Sequence, residues 1–148
     1  MAITSAICNS FKQELLVGTH NFTATTGNTF KIALFTSSAT LGAGTTAFST
    51  SNEITNSSGT AYTSGGATLT SVTPTLDSST AVCDFSDVSF TSASFTANGC
   101  LIYNSSQSNK AVAAIAFGGD KTVSQSRSVP KVVPDWFQVF AIRRTSLC

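Results

Sequence analysis

The chain has 148 residues, a formal net charge of +1 and 10% charged residues, far below the quarter that is usual in globular proteins. Ser and Thr make up nearly a third of it, whereas 41% of the residues are apolar and eleven are Phe. This apolar content excludes a disordered low-complexity chain, because it is enough to form a core. We therefore expect a single domain with a hydroxylated rather than a charged surface.

A short helix is predicted near the N-terminus. Apolar side chains recur every fourth residue, as on one face of a helix, at Ile7, Phe11 and Leu15. The predicted N-cap is Thr4 or Ser5 and the predicted stop is Gly18, so the helix should span about residues 5–17. Its apolar stripe packs on a sheet or contacts another subunit.

The residues that follow predict strands separated by a long polar excursion. Alternation over 30–35 predicts one strand. Two more are predicted over 67–72, ended by Thr73 and Pro74, and over 80–85. Residues 37–66 are rich in Ser, Thr, Gly and Asn, and loops of this length in compact domains are usually functional or shaped by partners.

The sequence from Phe95 to Gly119 predicts a β-hairpin at the centre of the core. Two apolar runs flank a polar loop, Asn104 to Asn109. Both faces of the first run are apolar, and the alanine-rich second run, Ala111 to Phe117, lets larger side chains approach closely. The predicted fold is therefore mainly β, an antiparallel β-sandwich or jelly-roll-like single domain with a short N-terminal helix.

The residues do not predict catalysis or a cofactor. A catalytic histidine needs a nucleophile or an orienting carboxylate, and the sequence around the single histidine, His20, predicts neither. Asp84 and Asp87 fit ordinary turn chemistry better than a catalytic pair. Because Gly-rich phosphate loops, nucleophile elbows and HExxH motifs are also missing from the sequence, we expect a structural role for His20 and no enzymatic activity.

Four cysteines are scattered along the chain without a CxxC pair, so no metal site is predicted. Cys83 and Cys100 alternate with apolar residues and are expected as buried free thiols, with a disulfide between them as the alternative. The N-terminal residues do not form a secretory signal, which favours a reducing compartment. No window reaches the ~18 apolar residues of a membrane span.

The last segment, 123–148, differs from the rest and predicts a C-terminal arm or a final strand. It contains two of the three prolines, the only tryptophan and several cations. Its large apolar side chains must dock on their own domain or on a neighbour, since exposing each would cost roughly 1.5 to 3 kcal/mol. The cations are too widely spaced for us to expect nucleic-acid binding.

Four segments of the β-rich domain, residues 1–122, resemble a family of small virion structural proteins of tailed bacteriophages. They read MAITSAICNSFKQELL, TFKIALFTSSATLGAGTTAFSTSNEI, GTAYTSGGATL and GCLIYNSSQSNKAVAAIAFGGDKT. The resemblance implies a capsid decoration (cement) protein that is made in the host bacterial cytoplasm and carried on the capsid surface of the virion. The family commonly ends in a Gly/Thr-rich turn and an alternating strand, whereas this chain has the Pro- and Arg-containing tail.

The implied partners are the major capsid protein and other copies of this chain, with a homotrimer favoured. A tail, neck or tail-fibre subunit, one that could bind a host receptor, is the alternative. The candidate subunit or capsid contacts are Ile7, Phe11, Leu41, Phe48, Trp136, Phe137, Phe140, Arg143 and Arg144.

Overall fold

The computed structural model describes residues 2–55, 62–90 and 93–123, together with the backbone of residues 142–143. The predicted fold class is confirmed: the protein is mainly β, with two antiparallel sheets and one short helix near the N-terminus, an arrangement compatible with a β-sandwich. The helix α1 is Asn9–Leu16, and the strands in chain order are β1 (Ala6–Ile7), β2 (Phe30–Phe35), β3 (Ala67–Leu69), β4 (Ser71–Asp77), β5 (Thr80–Phe85), β6 (Phe95–Asn104), β7 (Lys110–Val123) and β8 (Ile142–Arg143).

The larger sheet has the strand order β1-β7-β6-β2-β3, which places the predicted hairpin of β6 and β7 at its centre. Leu101 and Ile102 of β6 are buried and pair with Ala114 and Ala113 of β7. Small side chains on β7 leave room for the larger ones across the ladder, as the sequence predicts. β7 is longer than predicted and continues to Val123 past a register shift near Gly99.

The smaller sheet has the order β4-β5-β8 and is joined to the larger one by aromatic packing. Phe85 of β5 lies 5.5 Å from Phe30 of β2, measured between ring centroids. Phe22, in the segment between α1 and β2, stacks on the same Phe30 ring at 4.3 Å. These three rings hold the start of the smaller sheet against the main core.

The N-terminal prediction was wrong in its bounds. The helix starts at Asn9 rather than near residue 5, and the residues before it form β1 and further backbone hydrogen bonds. Thr4 Oγ1 donates to the Leu41 carbonyl and Ser5 Oγ accepts from the Ala116 amide, so neither side chain caps the helix. These non-local partners prevent an earlier start, whereas the predicted stop at Gly18 fits its φ of +72°.

The prediction that Thr73 and Pro74 end a strand was also wrong. The chain leaves the larger sheet after β3 and continues as β4 through Pro74, with a register shift between Val72 and Thr75. A bulge on an edge strand tolerates proline because no ladder partner needs its missing N–H group. The strand predicted over 80–85 is confirmed as β5.

Candidate interaction surfaces

The structure buries some of the predicted contact residues in the core of their own chain. Phe11 is 1% exposed and Leu41 is 9% exposed, which leaves them little surface for another subunit. Phe48 is partly buried and stacks on Tyr103, with the ring centroids 4.4 Å apart. Ile7 keeps 38% of its surface exposed, so it stays available as a contact.

The C-terminal contact candidates lie largely outside the described residues. Trp136, Phe137, Phe140 and Arg144 are not among them, and of Arg143 only the backbone, in β8, is described. Residues 142–143 pair with Ala81 and Thr80 of β5. The predicted final strand is thus seen only as this short pairing.

Three large apolar side chains that the sequence analysis did not select are the most exposed ones among the described residues. Leu16 and Val17, at the end of α1, are 89% and 71% exposed, and Leu76 in β4 is 76% exposed. Leu16 and Val17 lie outside the predicted apolar stripe of the helix, and this position is the sequence feature that could have indicated their exposure. Leu76 lies one residue before the end of a strand that was not predicted to extend so far.

The hairpin of β4 and β5 carries Leu76 outward from the core. Every residue of β4 after Ser71 is exposed, so both faces of this strand meet solvent. Ser78 adopts a φ of +56° in the tight turn between Asp77 and Thr80. Pro74 and the bulge interrupt the outer edge of β4, which makes that edge a poor site for strand addition. The exposed large apolar side chains of β4 are Val72 and Leu76.

A groove of about 700 Å³ lies in the first part of the predicted excursion. Its walls come mainly from residues 39–47, with Thr4, Ser49 and Asn52 contributing polar groups. Small side chains and hydroxyl groups line it, and none of its lining residues carries a charge. The groove suits an uncharged surface that forms hydrogen bonds, and most of its lining belongs to the 37–66 segment, whose length is typical of loops that are functional or shaped by partners.

The described residues bring His20 into a buried polar cluster rather than into a cleft. Its Nε2 lies 2.8 Å from Glu14 Oε2 and its Nδ1 lies 2.9 Å from Asn104 Nδ2. Lys110 Nζ donates to the other oxygen of Glu14 at 2.5 Å. The expectation that no carboxylate orients His20 was therefore wrong, because Glu14 comes from the preceding helix.

The burial of this cluster favours a structural role. The His20 side chain is 0% exposed, which leaves no surface for a substrate. Burial alone would raise the pKa of Glu14, but hydrogen bonds from Lys110 and His20 lower it below its ordinary 4.5. Glu14 therefore stays ionised and ties α1 both to the following segment and to β7.

A second buried carboxylate, Glu53, anchors the far end of the excursion. It is 7% exposed and accepts hydrogen bonds from Tyr62 Oη at 2.7 Å, Ser64 Oγ at 2.8 Å and the Gly65 amide at 2.7 Å. Tyr62 Oη also accepts from the Leu34 amide of β2. Burial raises the pKa of Tyr62 and the nearby carboxylate adds to the effect, so the phenol stays a donor to Glu53.

Three of the four cysteines are described, and all three are free thiols. Cys100 is buried as predicted, whereas Cys83 is half-buried, and the alternative of a disulfide between them is not what the structure has. Burial raises the pKa of Cys8 to about 11 and that of Cys100 to about 12. These thiols are therefore unsuited to nucleophilic chemistry near neutral pH.

The described residues hold neither a metal-binding cluster nor a membrane-spanning helix. No group of three or more His, Cys, Asp or Glu side chains that could hold a metal ion occurs there. The described part of the chain also contains no helix with the length and hydrophobicity of a membrane span.

Comparison of the chain with protein-family models, curated proteins and solved structures found no match. The surfaces described above are consequently the observations from which a function has to be inferred.

Proposed function

We propose that this protein is a capsid decoration (cement) protein in the virion of a tailed bacteriophage. It binds the major capsid protein and stabilises the shell. The observation that carries the proposal is the set of outward-facing apolar side chains at two projecting sites, the end of α1 and the hairpin of β4 and β5. The resemblance of residues 1–122 to phage virion proteins supports the same reading.

The exposed apolar side chains support the proposed attachment to a partner. Leu16, Val17 and Leu76 each keep more than 70% of their surface in solvent. Burying one such side chain against a partner stabilises the complex by roughly 1.5 to 3 kcal/mol. Contacts of this size help to offset the roughly 4 to 15 kcal/mol that association costs in lost translational and rotational freedom.

The low charge of the chain fits the same partner. Only 10% of its residues are charged, so electrostatic steering contributes little to association. The hydroxyl groups that line the groove of residues 39–52 suit an interface with many direct and water-mediated hydrogen bonds. We infer that the protein assembles as a homotrimer around local symmetry axes, where one surface meets many equivalent sites.

Co-sedimentation with empty capsids tests the proposal. The purified protein should pellet with capsids at a fixed stoichiometry, and Leu76→Ser should weaken binding by about tenfold, the factor that corresponds to about 1.4 kcal/mol. Thr75→Ser is the matched control, because it removes only one methyl group at the adjacent exposed position and keeps the hydroxyl. Failure of the native protein to bind capsids or to oligomerise at assembly concentrations contradicts the proposal.

A further inference from the structure

The only histidine of the chain lies in a network whose hydrogen-bond directions are fixed from both ends. The Ser106 amide donates to Asn104 Oδ1 at 3.1 Å, which leaves Asn104 Nδ2 as the donor to His20 Nδ1. The same Nδ2 donates to Asn28 Oδ1 at 3.0 Å, and that oxygen also accepts from the Asn21 amide at 2.8 Å. The Ser106 N–H group thus fixes the orientation of the Asn104 amide, and the Asn21 N–H group fixes that of the Asn28 amide.

These directions determine which ring nitrogen carries hydrogen. Because Asn104 Nδ2 is a donor, His20 Nδ1 has to be an acceptor, and the ring hydrogen therefore resides on Nε2. Nε2–H then donates to Glu14 Oε2 at 2.8 Å. The native network accommodates one neutral tautomer and has no acceptor for a proton at Nδ1.

We propose that His20, Asn104 and Asn28 form an acid-sensitive clasp that joins the segment of residues 20–28 to the turn between β6 and β7. Protonation at Nδ1 brings an N–H group against the Asn104 amide donor. Rotating the Asn104 amide would provide an acceptor, but it would turn an N–H group toward the Ser106 amide and an oxygen toward Asn28 Oδ1. Acid therefore breaks the clasp whichever way Asn104 turns.

The groups around the His20 ring determine which of its two hydrogen bonds breaks on protonation. Among the described residues, the charged groups that face the ring are Glu14 from α1 and, through Glu14, Lys110 from β7. The remaining neighbours are the two amides and the rings of Phe11 and Phe30, whose centroids lie 4.8 and 6.4 Å away. Because the Glu14 carboxylate attracts a charged imidazolium, the hydrogen bond between His20 and Glu14 persists in acid. The hydrogen bond between His20 and Asn104 is the one that breaks.

Opening of the clasp removes one attachment of residues 20–28, while the Ala24 amide stays bonded to Thr73 Oγ1 at 3.1 Å and Thr29 stays bonded to Ser105 and Ser106. Short-range hydrogen bonds also shape the segment, such as Asn28 N to the Asn21 carbonyl at 2.7 Å and Gly27 N to the Thr23 carbonyl at 2.9 Å. Within this segment Phe22 stacks on Phe30. Protonation of His20 therefore loosens the cover over that apolar contact, a response independent of capsid binding.

Nuclear magnetic resonance on the native chain tests the clasp, because a single histidine gives unambiguous imidazole signals. We expect the Nε2–H tautomer at pH 8. Between pH 8 and pH 5, protection of the amides of Asn28 and Gly27 from hydrogen exchange should fall roughly fivefold to tenfold after correction for intrinsic rates, the factor for one lost buried hydrogen bond. Glu14 stays ionised in this window because its pKa lies below 4.5.

Two variants give opposite signatures. Asn104→Asp places an acceptor opposite Nδ1 but loses the bond to Asn28 Oδ1 at both pH values. Its overall protection should therefore be lower than that of the native chain, but protection should rise rather than fall as the pH drops to 5. His20→Gln does not titrate and should remove the pH response. Asn52→Asp is the matched control, since it makes the same chemical change at an exposed position whose backbone tolerates Asp, and it should respond like the native chain.

Three results would overturn the proposal. The first is an Nδ1–H tautomer in the native chain at pH 8, and the second is unchanged protection of residues 20–28 between pH 8 and pH 5. The third is an Asn104→Asp chain that loses protection in acid as the native chain does. Because the first two use the unmodified protein, the test does not depend on the folding of any variant.

Discussion

Removal of the Glu53 carboxylate should destabilise the fold through the donors that it leaves behind. Glu53 accepts from Tyr62 Oη, Ser64 Oγ and the Gly65 amide, all within 2.8 Å. Ser64 is exposed and water can replace its lost partner, whereas Tyr62 is 1% exposed and its hydroxyl hydrogen would have no acceptor. Gly65 is partly exposed, so the loss of its acceptor should cost less than the loss at Tyr62 and more than the loss at Ser64.

The expected cost follows from these exposures. An orphaned buried donor costs about 1 to 3 kcal/mol, and a partly exposed one costs less. Glu53→Ala should therefore lower the free energy of unfolding by about 2 to 4 kcal/mol, and the Tm by roughly 5 to 15 °C for a domain of this size. Glu53→Gln keeps the shape and one carbonyl oxygen, so it should cost only about 1 kcal/mol.

Urea denaturation of four chains measures the effect: native, Glu53→Ala, Tyr62→Phe and the double variant. Tyr62→Phe also removes the acceptor of the Leu34 amide, so it should be destabilising in its own right. The coupling free energy between the two positions should reach about 1 to 3 kcal/mol, because the substitutions share one hydrogen bond. A cost below about 0.5 kcal/mol for Glu53→Ala would refute the reasoning, and so would equal costs for Ala and Gln.

Three further predictions concern other positions. Gly66→Ala should prevent folding, because Gly66 has a φ of +73° and a Cβ there would overlap the Ile32 carbonyl. Gly18 has a similar φ of +72° but open space around it, so Gly18→Ala should lower the free energy of unfolding by only about 1 kcal/mol, as measured by urea denaturation. Glu14→Gln should weaken the dependence of Tm on pH in the acid range. The lowered pKa of Glu14 stabilises the fold above pH 4.5, and this contribution is lost as the pH falls through the folded-state pKa. An unchanged dependence of Tm on pH would count against the cluster. Cys100 should resist iodoacetamide at pH 8 until urea unfolds the protein, as read by mass spectrometry, and rapid labelling of the native chain would contradict its burial.

The elements that the sequence predicted well depend on local patterns. The strand over 30–35 and the hairpin of β6 and β7 show apolar runs and turn residues in adjacent sequence, and both were found. The central position of the β6–β7 hairpin in the larger sheet was predicted from the same pattern, since strands that are apolar on both faces belong inside a sheet.

The errors arose where distant residues decide the structure. The start of α1 depends on hydrogen bonds from residues 4 and 8 to residues 41 and 112, which no local spacing shows. Pro74 ended the predicted strand because its context as a bulge on an edge was not visible in the sequence. Glu14 was not recognised as a partner of His20 because it lies six residues away and meets the ring only through the turn after α1.

The candidate contact surface was the least predictable feature. Phe11 and Leu41 were selected as large apolar residues, but the fold buries them. Leu16, Val17 and Leu76 have similar side chains and are exposed because α1 ends and β4 extends beyond the core. Composition alone cannot separate these two groups, because exposure is a property of the packed chain.

The copy number of this chain in purified phage particles tests the proposed virion role most directly. Quantitative mass spectrometry should give a ratio to the major capsid protein near one, or a simple fraction such as a third, as a decoration protein requires. A ratio of a few per cent would move the protein to the tail or neck, and its absence from the particle would contradict a virion role altogether.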